Sequence, residues 1–437
     1  MDVFDKPQAK DLDKCVHCGL CLNACPTYRE LGLEMDSPRG RIYQMVQVSS
    51  GQAKLDDNYV EHLDLCLACR ACESACPSGV PYGRLIEAAR TEIAAVRPRP
   101  LLMRLAFRHL LPNRFNLRLV ARLLWLYQVS GLQGLARKLG VIPKSLRAAE
   151  SLSPAIEMPS FFDQYGKTFP AEGERKYKVA LLGGCMANVS FARLHEATVR
   201  VLQKNGCEVV IPSGQTCCGA LHVHAGCRDE GRALARINID SMVDAGFDAI
   251  ISNTSGCGST LKEYDELLEH DPAYRDKAAR FKGLVKDVNE FLASIELNRN
   301  FGPLPVTVTY QDSCHLAHGQ KIRKAPRELL NAIPGLNLKE MRGSDICCGS
   351  AGIYNVLHTD LSLQILDSKM INAQATKAEW IVTANPGCML QLRAGVSRCG
   401  SGQRVMHVVE ALDAAYAAAT PNNRANASSG TARSIPQ

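Results

Sequence analysis

The sequence lacks the marks of a membrane-embedded or secreted chain. A membrane span needs about 18 or more mostly apolar residues. The longest charge-free stretch here, Val209 to Cys227, is broken by Pro212, three glycines and two histidines. The opening MDVFDKPQAKDLDK is polar, without the apolar core of a secretory signal. No Gly-x-Gly-x-x-Gly follows a strand-like run and no P-loop is present, so no site for an organic nucleotide cofactor is expected. Asp and Glu are missing altogether from Ile93 to Ala149, where eleven Lys and Arg stand. That block's +11, set against a net charge of +7, leaves the rest of the chain at −4. A nucleic-acid binder would be basic more broadly, so no nucleic-acid partner is expected.

What is abundant is cysteine, 19 in 437 residues. Disulfide-stapled secreted domains are much shorter and denser in cysteine. In a long chain, clustered cysteines bind metal or do redox chemistry. A cytoplasmic, reducing compartment is therefore expected. The apolar content of 46% and charged content of 22% are those of a globular protein, and the length suggests about three domains.

The pattern divides the chain into segments. Residues 1–92 hold two cysteine clusters joined by a helix-compatible spacer. Residues 93–175 are a basic helical connector followed by a linker. Arg114, Arg118 and Arg122 fall on one helical stripe, offset from Leu117, Val120, Leu123 and Leu124, and Pro112 separates two helices. From residue 176 to 418, short apolar runs (KVALLGG, CEVVIPS, FDAIISN, VTVTYQD, EWIVTAN, RVMHVVE) alternate with helical patterns, which predicts α/β structure. Residues 419–437 have no apolar periodicity and are expected to be disordered.

The first constellation is Cys15-x2-Cys18-x2-Cys21-x3-Cys25-Pro26, repeated as Cys66-x2-Cys69-x2-Cys72-x3-Cys76-Pro77. This is the spacing of two-cluster ferredoxins, in which the fourth cysteine of each run serves the other cluster. The expected sets are Cys15, Cys18, Cys21 and Cys76 on one [4Fe–4S] cluster, and Cys66, Cys69, Cys72 and Cys25 on the other. Zinc sites use separated Cys-x2-Cys pairs, whereas three thiolates at two-residue gaps occur here twice. The spacer of about 40 residues between the runs, with Tyr28, Leu31, Leu33 and Ile42 to Val48, suggests an α-helical ferredoxin domain.

The second constellation is an internal repeat. Cys185, Cys217-Cys218-Gly219 and Cys257 recur as Cys314, Cys347-Cys348-Gly349 and Cys388, at offsets of 129, 130 and 131 residues. Each repeat places cysteines after strand-like runs, where α/β folds gather ligands. The glycine after Cys-Cys allows close backbone approach. These eight thiols are candidates for a further cluster, a quinone-facing redox site, or structural packing. His222, His224, His315 and His318 follow the repeat cysteines and are either proton donors or metal ligands, or locally bonded side chains. His17 sits inside the first cluster loop as a neighbour of the ligands. Cys207, Cys227 and Cys399 fall outside the repeats and are taken as ordinary thiols. Arg39 and Arg41 either anchor the helical spacer beside the clusters, the preferred reading, or meet a partner.

With these motifs in view, the chain resembles the CCG-domain iron–sulphur proteins. These include heterodisulfide reductase B-type subunits, anaerobic glycerol-3-phosphate dehydrogenase C subunits and lactate-utilisation proteins. The resemblance is strongest to the glycolate oxidase iron–sulphur subunits. It is carried by Cys15-Val-His-Cys-Gly-Leu-Cys with Cys25-Pro-Thr-Tyr28, Ser37-Pro-Arg-Gly-Arg-Ile-Tyr43, Cys76-Pro-Ser-Gly-Val80, Thr254-Ser-Gly-Cys-Gly258, Cys347-Cys-Gly-Ser-Ala-Gly352 and Val382-Thr-Ala-Asn385, and spans about residues 10–418.

The resemblance implies an α+β multidomain chain: an N-terminal α-helical ferredoxin domain, then two tandem α/β CCG modules at 176–300 and 301–418. It implies an electron-transfer subunit that takes no part in substrate chemistry. Its partners would be an FAD-containing glycolate dehydrogenase subunit, a second flavoprotein-like subunit and a quinone-type acceptor. D-lactate or glycerol 3-phosphate are alternative substrates for the same class of complex. In heterodisulfide reductases each repeat ends in Cys-x2-Cys, giving five thiolates. Here Thr254 and Asn385 replace the first of those cysteines, which argues against disulfide-reducing chemistry. Apart from the resemblance, the charge of residues 93–149 suits an anionic membrane face, making the protein peripheral on the inner side of the cell membrane, or an acidic partner, or else marks a solvated helix surface.

Overall fold

The computed structural model describes residues 5–141, 150 and 154–419. The expected disordered tail lies outside the described residues except for Ala419, which closes the last helix.

The N-terminal domain is helical, as expected. Its main helices are Pro26–Leu31, Pro38–Ser49, Asp57–Asp64 and Tyr82–Val96. Proline opens two of them, where its fixed φ suits the first turn. Ser37 and Asp56 cap two by accepting from Gly40 N (3.0 Å) and Tyr59 N (3.0 Å). Leu12, Ile42, Met45, Leu63, Leu85, Ile86 and Ile93 form one apolar core, and Cys66 and Cys72 are built into it.

The connector forms helices Leu101–Leu105, Arg114–Val129 and Leu132–Leu139, and the chain breaks around Pro112 as expected. In Arg114–Val129, Leu117 and Ala121 are buried against the first module, while Val120, Leu123 and Leu124 are exposed. The segment read as linker adds buried Phe161 and Phe162. It also adds a short strand, β1 (Thr168–Phe169), which pairs antiparallel with the first sheet.

The two modules repeat one topology. The first has β2 (Tyr177–Leu181), β3 (Cys207–Val210), β4 (Ala249–Ser252) and β5 (Val285–Asp287). The second has β6 (Thr307–Gln311), β7 (Asn337–Glu340), β8 (Trp380–Thr383) and β9 (Arg404–His407). The sheet orders are β1-β3-β2-β4-β5 and β7-β6-β8-β9. Without the antiparallel β1 they are the same parallel 2-1-3-4 arrangement. The order reverses beside the first strand of each module, the position at which such folds open a crevice beyond the strand carboxyl ends. One large core runs through both modules, from Val179 and Val209 to Val382 and Leu412.

Candidate metal centres

The two cysteine runs of the helical domain adopt matching loops. His17 (φ 53°) and Gly19 (φ 85°) flank Cys18, and Ala68 (φ 51°) and Arg70 (φ 62°) flank Cys69. Left-handed backbone at three non-glycine residues costs about 1–3 kcal/mol each and persists where the surroundings impose it. Here it curls each Cys-x2-Cys-x2-Cys around a common space. Arg39 holds the first loop by donating from Nη1 to the His17 carbonyl (2.8 Å) while paired to Glu34 (2.7 Å).

Cys25 does not stay with its own run. It lines a small cavity with Cys66, Cys69 and Cys72, beside Thr27, Arg41 and Tyr82. Cys15, Cys21 and Cys76 lie half-buried on the rim of the helical core, and Cys18 is exposed. Burial pushes the Cys21 thiol up to about 11, and pushes Cys69 and Cys72 well above the ordinary range. Thiols so placed stay protonated unless a bound cation draws the proton off.

Donors already point at the sulphurs. The Ala68 N–H lies 3.4 Å from Cys66 Sγ, and Tyr82 Oη lies 3.7 Å from the same sulphur. Thr27 Oγ1 is 3.2 Å from Cys25 Sγ. Among the described residues, no three His, Cys, Asp or Glu side chains are placed to hold a single metal ion. All-thiol lining, burial and N–H donors instead suit iron–sulphur clusters, whose potentials such hydrogen bonds tune.

Arg41 fixes this site from behind. It is 1% exposed and donates to the His62 carbonyl (2.7 Å), Thr27 Oγ1 (3.1 Å) and Asp36 Oδ1 (3.2 Å). Its structural role was legible in the sequence. Those of Thr27 and Tyr82 were not, because nothing in composition or spacing singles them out.

The repeat cysteines converge as well. Each set follows the carboxyl ends of the first three strands of its module. In the first module the sulphurs are joined in series: Cys185 to Cys217 (3.5 Å), Cys217 to Cys218, and Cys218 to Cys257. In the second, Cys314, Cys347, Cys348 and Cys388 are joined in the same order. Backbone N–H groups of Met186, Gly219, Gly349 and Ser350 face Cys185, Cys217, Cys347 and Cys348. Gly219 (φ 81°) and Gly349 (φ 90°) are the turn residues, and a Cβ on Gly349 would stand 2.5 Å from the Ser362 carbonyl oxygen.

The residues at the fifth-thiolate positions do other work. Asn385 Nδ2 donates to Cys388 Sγ (3.5 Å), and its Oδ1 accepts from Gly256 N (3.4 Å) across the module boundary. Thr254 Oγ1 donates to Asn253 Oδ1 (3.3 Å).

The histidines do not gather on one site. His222 donates to the Phe107 carbonyl (2.8 Å) and His318 to the Asp345 carbonyl (2.9 Å). His224 meets Glu87 (2.9 Å), and His315 donates to the Ala68 carbonyl (3.0 Å), with their rings edge to face at 5.1 Å. Cys207 is buried in the first module, Cys227 is half-buried and Cys399 exposed; none of them joins either set.

The second ferredoxin loop rests on the second module. Leu67, Cys69 and Ala71 pack with Cys347, Tyr354 and Cys314, and Tyr354 Oη donates to the Leu65 carbonyl (3.1 Å). Arg70 pairs with Glu263 of the first module. The first module's thiols lie instead beneath the connector, with Cys185 and Cys217 against Leu117 and Ala121.

Family models match in the same places. A 4Fe-4S dicluster domain matches residues 11–80 and a cysteine-rich domain matches 179–262 and 308–393. A model described as the linker region of the glycolate oxidase iron-sulfur subunit matches 98–153. Among curated relatives, the "Probable glycolate oxidase iron-sulfur subunit" of Bacillus subtilis (strain 168) is 43% identical over 92% of this chain and 93% of its own. The "Glycolate oxidase iron-sulfur subunit" of Escherichia coli (strain K12) is 34% identical over 92% and 94%. "Lactate utilization protein A" of Geobacillus thermodenitrificans (strain NG80-2) is 29% identical over 54% of this chain and 98% of that protein.

Proposed function

The chain belongs to the family of glycolate oxidase iron–sulphur subunits, and from that premise we propose that it is the electron-transfer subunit of a glycolate-oxidising complex. A flavoprotein partner oxidises glycolate to glyoxylate, a second flavoprotein-like subunit completes the complex, and electrons leave to a quinone-type acceptor. The observation that carries the reading is Cys25 lining one cavity with Cys66, Cys69 and Cys72. Crossed ligation locks two sites side by side in one small domain.

In this reading Cys15, Cys18, Cys21 and Cys76 hold one [4Fe–4S] cluster, and Cys25, Cys66, Cys69 and Cys72 hold the second. Clusters of this kind supply one-electron chemistry. Arg39 and Arg41 hold the two loops, Tyr82 and Thr27 approach the sulphurs, and the helical core keeps water from the buried set. The four-thiol sets of the modules are candidates for further clusters. With Asn385 and Thr254 where a fifth thiolate would stand, they favour ordinary four-thiolate ligation over disulfide reduction.

Glycolate is favoured over lactate by the longer and closer matches to glycolate oxidase subunits. We also propose that the connector rests on an anionic bilayer. Leu101, Leu102, Phe115, Leu123 and Leu139 are more than half exposed among Arg104, Arg108, Arg122 and Lys138, an apolar and basic face. Among the described residues no helix is long and apolar enough to cross a membrane.

The test is anaerobic purification with iron and acid-labile sulphide analysis and EPR. Cys25→Ser is expected to disturb the same EPR signal as Cys69→Ser, and Cys76→Ser the same signal as Cys18→Ser. If each variant instead disturbs the signal of its own run, the crossed assignment is wrong. Zinc in place of iron and sulphide would end the whole reading. Electron uptake with glycolate, D-lactate or glycerol 3-phosphate by the co-purified complex decides the substrate.

A further inference from the structure

The two modules are built alike but are not charged alike. In each, the glycine of Cys-Cys-Gly presses against one residue of the following helix, Gly231 in the first module and Ser362 in the second. Seven residues further along, on the same buried face, stand Asn238 and Lys369. Both reach back to the loop that carries the paired cysteines. Asn238 accepts from Thr216 N (2.9 Å) and donates to the Cys217 carbonyl (3.0 Å). Lys369 donates to the Gly343 (2.6 Å) and Ser344 (3.4 Å) carbonyls.

A neutral amide in one module is thus an ammonium in the other. Lys369 is 3% exposed and none of the ion pairs of the described residues includes it. The acidic groups that act on it most are the Cys348 and Cys347 thiols, then Asp345 and Cys388, and Asp345 is paired with Arg323 (3.1 Å). A buried lysine is costly unless an anion compensates it. Two backbone carbonyls satisfy hydrogen bonds but bring no charge. Four thiolates ligating iron would.

We propose that Lys369 is the counter-cation of an anionic iron–sulphur centre held by Cys314, Cys347, Cys348 and Cys388, and that it raises this centre's potential. The proposal rests on the reading of the repeat thiols as cluster ligands. Gain of one electron makes such a centre more negative, so a fixed positive charge beside it favours the reduced form. The electron comes from the flavoprotein-fed clusters, whose oxidation balances it. No bond is made or broken, and Lys369 keeps its proton. The location fits the role, since Cys69 of the ferredoxin loop packs on Cys347 and Cys314.

The test uses the anaerobically purified full chain, with iron analysis and EPR-monitored redox titration. Lys369→Gln keeps a donor for the Gly343 carbonyl and removes the charge. It is expected to retain wild-type iron and to shift the midpoint of one centre down by a factor of ten or more in its electron-uptake equilibrium, about 59 mV for a one-electron couple. The ferredoxin signals should not move. Cys347→Ser should abolish that same signal, and Cys217→Ser should leave it.

If Cys347→Ser loses no iron and no signal, the cluster reading of the second module fails. If it does lose them but Lys369→Gln moves no midpoint, or moves a ferredoxin midpoint, the counter-cation fails alone. Should Lys369→Gln lose the centre outright, Lys369→Arg decides: a retained centre supports the charge, and a lost one overturns it.

Discussion

Replacing Arg41 by methionine keeps a long, apolar-compatible side chain and deletes one buried charge. The guanidinium is 1% exposed and joins three parts of the helical domain. These are the Thr27 hydroxyl beside Cys25, Asp36 before the helix Pro38–Ser49, and the His62 carbonyl near the end of Asp57–Asp64. Removing one partner of a buried ion pair costs about 3–5 kcal/mol, because the other charge is left uncompensated. Asp36 keeps a second partner in His62 (3.0 Å), which places the expected loss near the low end, about 3 kcal/mol.

The loss should also be local. Thr27 contacts both Cys25 Sγ and the Asp36 carbonyl (2.8 Å), so the loop carrying Cys25 loses its brace. The assay is bleaching of the iron–sulphur absorbance under an anaerobic chelator, followed with iron analysis, beside thermal melting by circular dichroism. Arg41→Met should shed the cluster proposed to bind through Cys25 faster than the other cluster. Asp36→Asn in the Arg41→Met background should restore part of the loss, since it removes the orphaned carboxylate. If Arg41→Met bleaches and melts like wild type, the brace is wrong. If Asp36→Asn worsens it, the charge accounting is wrong.

Three further outcomes are expected. Gly349→Ala forces a side chain into left-handed backbone, about 1–3 kcal/mol of strain. It also drives a Cβ to 2.5 Å from the Ser362 carbonyl, so iron analysis should show loss from the second module with the ferredoxin signals intact; unchanged iron would refute the turn's role. His195 and His407 are fully buried, and burial holds each at about 4. The unfolded chain therefore takes up these protons first as pH falls, and stability is lost from about pH 6.5 toward 4, by at most about 3 kcal/mol per histidine. His407→Gln should flatten the fall in melting temperature between pH 7 and 5, and an unaltered slope would sink this. Leu102→Asp with Phe115→Asp should abolish flotation of the subunit with anionic vesicles at low salt; flotation that survives, or wild type that never floats, removes the bilayer contact.

The large features of this molecule were legible because each has a short-range signature. The cysteine runs give loop and ligand type together, and the six apolar runs mark β2, β3, β4, β6, β8 and β9. What escaped was held by tertiary contact. β5 (Val285–Asp287) and β7 (Asn337–Glu340) read as polar because β7 is a largely exposed edge and β5 carries a lysine at its centre. β1 sits in a stretch rich in Gly, Pro and charge and exists only because β3 offers an open edge. The connector's leucines have helical period, yet most face outward, because in Arg114–Val129 the first module covers Leu117 and Ala121 and leaves Leu119, Leu123, Leu124 and Leu126 exposed. Lys369 was invisible because a lysine inside a helix ordinarily marks the solvent face, and only the tertiary packing of Thr359–Ala375 buries this one.

The repeat explains why such asymmetry is informative. Two copies with the same strand order and the same four thiols present nearly the same inner shell to whatever they hold. Any difference in their chemistry must come from what surrounds that shell: hydrogen bonds, buried charge and access of water. The surroundings differ on every side. One set lies under an arginine-rich connector helix, the other against the loop of Cys66, Cys69 and Cys72. One has an asparagine behind it, the other a lysine. Packing alone would tolerate two identical copies, and an apolar residue at position 369 would fill the helix face at lower desolvation cost than an ammonium. A charge kept where a neutral side chain would fold as well points to a role in the potential of the second centre, and the titration of the Lys369 variants measures that contribution directly.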